Sequence, residues 1–73
     1  MPYRPGDRTM EFEGKIEHET EKAYLVIPTI GPPQIWVPKS QMAVKEPEFR
    51  GEGNYMFEVA EWWYNNSNMK EYQ

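Results

Sequence analysis

The sequence predicts a mainly β protein: a small five-stranded antiparallel bent sheet or open barrel, SH3-like or OB-like, with a short C-terminal helix. Three observations lead there. Residues 10–18 alternate strictly, with Met10, Phe12, Gly14, Ile16 and His18 on one side and Glu11, Glu13, Lys15 and Glu17 on the other. That is the period of a strand with one face in water. A second apolar run follows after a short polar link, as in an antiparallel hairpin. Finally, 73 residues hold three Trp, five Tyr and three Phe but no Cys, so a core this small has to be built from ring packing rather than disulfides.

The elements follow in order. Residues 1–8 contain Pro2, Pro5 and Gly6 with charges of both signs and no periodicity, which reads as a flexible N-terminal arm. The first strand covers residues 10–18. Glu19, Thr20 and Glu21 form a polar turn, and residues 22–27 form a second strand, in which Ala23, Leu25 and Ile27 oppose Tyr24 and Val26. Pro28 ends it, and Gly31-Pro32-Pro33 marks a tight reversal, since prolines cannot donate ladder hydrogen bonds. Residues 34–37 make a third strand. Pro38-Lys39-Ser40-Gln41 is expected to form a single helical turn, with proline preset for its start. Met42, Ala43 and Val44 are expected as a short fourth strand, residues 46–53 as a loop, and residues 54–59 as the last strand. From Ala60 onward Val59, Trp62, Trp63 and Asn66 fall at helical spacings, but Asn65, Asn66, Ser67 and Asn68 are poor helix formers, giving one or two turns that fray. The domain organisation is therefore an arm at 1–8, one β-rich domain at 9–64 and a C-terminal tail at 65–73. The expected core is Phe12, Ile16, Leu25, Ile27, Ile35, Val37, Val44, Phe57, Val59 and Trp62.

Thr20-Glu21-Lys22-Ala23-x-Leu25-Val26, Trp36-Val37-Pro38-Lys39-Ser40-Gln41 and Glu58-Val59-x-Glu61-Trp62 together resemble a family of small β-rich domains in phage and bacterial proteins of unassigned function. The similarity covers about residues 17–64, and the Trp-Val-Pro-Lys-Ser-Gln stretch is its most specific part. Ala60 stands where such relatives often have proline, and Trp63, Tyr64 and the Asn-rich run replace a longer Lys-rich helix. The resemblance implies the fold and a mobile-element origin, but no reaction.

Composition narrows the functional classes. The formal charge is −4, and the charges of residues 23–45 are Lys39 and Lys45 alone, whereas residues 46–73 carry six glutamates against Arg50 and Lys70. Phosphate backbones recruit clusters of cations, so nucleic acid is the less favoured partner. One His and no Cys argue against a zinc site, and the glutamates of the first strand share one face without wrapping an ion, so no metal or other cofactor is expected. His18 lacks a nucleophile or orienting partner in any recognisable motif, so no catalytic residue and no enzymatic activity is expected. No apolar run approaches the length of a membrane span, and nothing at the N-terminus reads as a signal peptide. A cytoplasmic location, that of the host cell if the protein is phage-encoded, is the expectation.

Aromatics rimmed by acids suit a protein partner, in which Trp, Tyr and Phe act as desolvated anchors. The leading expectation is a non-enzymatic protein-binding module, an inhibitor or adaptor that occupies a host or phage protein, such as a defence protein. Trp63, Tyr64 and Phe49 are its candidate anchors, with Glu46, Glu48, Glu52 and Glu61 as the charged rim. The alternative is a single-stranded nucleic-acid-binding accessory domain of phage DNA metabolism that uses Trp36, Lys39 and Lys45. Ser40 beside Lys39 adds a candidate anion contact at the helical turn, against a reading in which the Lys39 stem packs along Trp36. A homodimer is a further partner reading, drawn from the small core and surplus aromatics.

Overall fold

In the computed structural model, which describes residues 3–67, five antiparallel strands form one sheet in the order β3-β2-β1-β5-β4. The strands are β1 (Thr9–Glu19), β2 (Ala23–Pro28), β3 (Ile35–Pro38), β4 (Glu48–Gly51) and β5 (Asn54–Ala60). A 3-10 turn, Lys39–Gln41, follows β3, and the helix α1 (Glu61–Asn66) follows β5. The mainly β fold with a short C-terminal helix is thus the one the alternation pattern predicts.

β1 is the spine. Its first part pairs with β5 from Thr9↔Ala60 to Lys15↔Asn54, and its second part pairs with β2 from Gly14↔Pro28 to Glu19↔Tyr24. Both ladders overlap at Gly14, where the strand must pass close to β2. A Cβ there would meet Val26 Cγ1 at 2.7 Å, the Ile27 carbonyl at 2.8 Å and Pro28 Cα at 3.0 Å, so only glycine permits the approach. The sheet is not closed strand to strand. Instead, the segment after β3 crosses to the opposite edge, where Met42 bridges Val59 and the Ala43 N–H donates to the Glu58 carbonyl at 2.7 Å. The expected strand at residues 42–44 is reduced to that single bridge, and Val44 is exposed.

The core is Phe12, Tyr24, Val26, Val37, Met42, Phe57, Val59 and Tyr64, with Met10, Ile16, Ile35, Tyr55 and Trp63 packed against it. Phe12 and Phe57 stack at 5.3 Å. Tyr24 meets Phe57 edge-on at 6.0 Å. This corrects the expected inner face of β2: Tyr24 and Val26 are buried while Leu25 is only half-buried and Ile27 is exposed. A β-bulge is the cause. The ladder shifts register between Ile16 and His18, leaving Glu17 as the extra residue. Continuing the Glu19↔Tyr24 register without the bulge would set Ile16 opposite Ile27 and turn Leu25 and Ile27 inward; one inserted residue exchanges the two faces. The bulge also turns His18 outward, where it pairs with Leu25, and Leu25 with Trp36.

Residues 46–53, expected to be a loop, form a hairpin. Glu48↔Met56, Phe49↔Tyr55 and Gly51↔Asn54 are paired, and the two loop residues Glu52 and Gly53 have φ of 55° and 80°. Positive φ at both centres is the signature of a type I′ turn, normally announced by Asn-Gly or Asp-Gly; here Glu stands at the first position and hides the signal. At the start of the domain, the Tyr3 N–H donates to the Ser40 carbonyl at 2.8 Å, and Arg4 and Asp7 close a turn through Arg4 N–H to Asp7 Oδ2 at 3.0 Å. Of the expected tail, residues 68–73 lie outside the described residues.

Candidate functional site

β4 is an edge strand, paired among the described residues with β5 alone. Phe49, Tyr55, Gly14 and Pro28 lie in one core-facing row across β4, β5, β1 and β2. Because β4 is the edge strand, the Phe49 ring has an in-row neighbour, Tyr55, on one side only, and Gly14 beyond Tyr55 adds no side chain. It leans edge-on against Tyr55 at 5.3 Å and remains 60% exposed. Glu48 and Glu52 on the same hairpin and Glu46 just before it are exposed, and Arg50 lies 3.8 Å from Glu48. Four of the expected interface residues, Phe49, Glu46, Glu48 and Glu52, are thus gathered on one protruding stretch.

The remaining three belong elsewhere. Tyr64 is buried against Phe12, with ring centroids 6.2 Å apart, and is corrected from anchor to core residue. Trp63 is half-buried on the core cluster, and Glu61 is half-buried at the start of α1, its N–H donating to the Arg8 carbonyl at 2.8 Å. The helix ends where Asn66 Nδ2 donates to the Trp62 carbonyl at 2.7 Å and Ser67 Oγ to the Tyr64 carbonyl at 2.7 Å. The polar run therefore satisfies the last carbonyls rather than extending the helix.

The alternative set does not assemble. Trp36 stands 48% exposed on the outward face, its ring 6.5 Å from His18. Lys39 instead reaches back along the core-facing row. Its Nζ lies 2.6 Å from Glu19 Oε2 and 4.8 Å above the Tyr24 ring, so its stem follows Tyr24 rather than Trp36. The Glu19 hydrogen bond raises the Lys39 pKa above its ordinary value. Lys39 and Lys45 share an open cleft of about 370 Å³ with Glu19, Tyr24, Met42, Ala43, Val44 and Glu46.

Sequence reasoning missed this cleft. Glu19 and Tyr24 are cross-strand neighbours only because of the turn between β1 and β2, which Thr20 locks. Its N–H donates to the Ala23 carbonyl at 2.8 Å, while its Oγ1 accepts from the Lys22 and Ala23 N–H groups. The Thr-Glu-Lys-Ala and Pro-Lys-Ser-Gln stretches are joined here too, the Lys39 N–H donating to the Lys22 carbonyl at 2.8 Å. Nothing in the local sequence marks that junction. Among the described residues no three His, Asp or Glu side chains come together as metal ligands would, and no helix is long and apolar enough to cross a membrane. No family model, curated protein or solved structure matches the chain. The functional reading therefore rests on the geometry and on the residues themselves.

Proposed function

We propose that this chain is a non-enzymatic protein-binding module whose principal anchor is Phe49. The observation that carries the reading is the exposed Phe49 ring, held by Tyr55 on an edge hairpin between Glu48 and Glu52. A ring already fixed by a neighbour loses little freedom on docking, and exposed glutamates around it favour a partner whose apolar socket is bordered by Lys or Arg. The resemblance to phage and bacterial domains points to an inhibitor or adaptor that occupies a host protein, such as a defence protein. The nucleic-acid alternative has weaker support, since Lys39 is engaged by Glu19 and faces away from Trp36.

The test is affinity capture from bacterial lysate at physiological salt, with the captured protein identified by mass spectrometry. One partner should be retained by the native chain and reduced at least tenfold by Phe49→Ala. Equal capture by the variant, or none by either, overturns the reading. Salt-sensitive binding of single-stranded oligonucleotides in place of protein capture would favour the alternative.

A further inference from the structure

The cleft between the end of β1 and residues 42–46 has the parts of a cation socket. Tyr24 forms part of its lining and is 6% exposed. Its hydroxyl makes no hydrogen bond with any described residue. Glu19 lines it from β1 and Glu46 from the crossing segment, with the exposed Lys45 next to Glu46 in the chain and an apolar lining of Met42, Ala43 and Val44. An ammonium is already seated there: Lys39 Nζ, against the Glu19 carboxylate and over the Tyr24 ring. A carboxylate beside an aromatic face is a combination that attracts a cation, here at a partly exposed site. Burial is the main cause that raises the Tyr24 phenol pKa; Glu19 adds to the rise, Lys39 opposes it and Glu46 adds a smaller part.

Lys39 is a partly exposed side chain in an ion pair near the surface, and such pairs add little net stability. It can therefore yield its place. Guanidinium has an advantage over ammonium here, because its planar fork can stack on a ring and bind a carboxylate at the same time. We propose that this cleft is an arginine socket: a partner's arginine side chain enters between Glu19 and Glu46, stacks on Tyr24, donates to the Glu19 carboxylate, and displaces the ammonium of Lys39 toward solvent. Lys39 acts as an internal placeholder that keeps the site formed in the free protein. The inference deepens the protein-binding reading, because Glu46 belongs both to this cleft and to the acidic stretch beside Phe49.

The test uses a defined probe, N-acetyl-arginine amide, titrated into the full chain and followed by NMR at the Tyr24 ring and the amides of Ala43 and Val44. Saturable shifts at these positions are expected. Binding should be about tenfold tighter in Lys39→Met, which removes the competing charge but keeps the stem, and should be lost in Glu19→Gln and weakened in Glu46→Gln. Dispersed spectra of each variant verify folding. Absence of saturable shifts in both the native chain and Lys39→Met overturns the proposal, as does equal binding to Glu19→Gln or stronger binding of N-acetyl-glutamate amide. Because no lysate partner is involved, an inert Phe49→Ala in capture and a failed arginine titration are separate results.

Discussion

Helix α1 and the β4 hairpin each carry aromatic side chains next to glutamates, yet they place them oppositely. In α1, Tyr64 turns back over the sheet and closes on Phe12, with Trp63 packed beside it. On β4, Phe49 meets Tyr55 edge-on and stays largely exposed. The difference lies in what each element is laid over. The helix follows a strand whose Phe57 and Val59 are fully buried, so its first turn lands on core. β4 lies at the edge of the sheet, in a row where Phe49 meets Tyr55 and the position beyond Tyr55 is Gly14, which adds no side chain. An aromatic residue in this chain is buried or left exposed according to the row it joins.

The largest expected effect breaks this contrast directly. Tyr64→Ala should cost about 3 kcal/mol in urea unfolding, as truncation of a buried ring does, and so remove much of the stability of a domain this small. Phe49→Ala should change stability by less than about 1 kcal/mol while abolishing partner capture. Similar stability losses in the two would mean that Phe49 is part of the core.

Next in size is Gly14→Ala. Two of the three atoms its Cβ would meet are backbone, so the strands must part. A loss of about 2 kcal/mol is expected, with the largest amide shifts at Val26, Ile27 and Pro28-flanking positions. A neutral substitution would show that the two ladders of β1 do not need their close approach.

Smaller, and opposite in sign, is Glu52→Asn. Glu52 holds a φ of 55° that Asn adopts more readily, so thermal unfolding should report a gain of about 0.5 kcal/mol. The same change removes a rim charge, so it should weaken capture even as it stabilises the hairpin. Concordant changes in both would contradict the division between folding and recognition.

The smallest effect concerns Tyr24. Its phenol pKa lies above the ordinary value of 10.0, chiefly through burial, then through Glu19, with Lys39 acting against and Glu46 adding to the rise. The folded state therefore favours the protonated phenol. That contribution is complete below pH 10 and is lost as pH rises through the folded-state pKa. Stability measured above pH 10 should fall less steeply in Tyr24→Phe than in the native chain.

The two halves of β1 show how far the fold was legible. Along the ladder with β5, seven residues pair without interruption, and the alternation of Phe12 and its neighbours indicates the buried face correctly. Along the ladder with β2, the bulge at Glu17 exchanges the faces, and Leu25 and Ile27 were expected where Tyr24 and Val26 stand. No residue type marks that bulge. The β4 hairpin escaped notice for a related reason, since Glu52 adopts a left-handed conformation without being Gly, Asn or Asp. Of the candidate interface, Phe49 and its three neighbouring glutamates were legible as an exposed aromatic in an acidic stretch. Tyr64 was not, because helical spacing alone does not say which side of a two-turn helix meets the sheet.

By itself, the sequence determined the strand-rich class, the short closing helix and the acidic aromatic character of the last third of the chain. These are encoded in local period, in proline and glycine positions and in composition. Only the tertiary structure decided which face of β2 is buried, that Lys39 pairs with Glu19 over Tyr24, and that Phe49 is left outside. Each of those depends on strand register, and register is set by a bulge and a turn whose effect is felt across the sheet rather than at the residues that cause it.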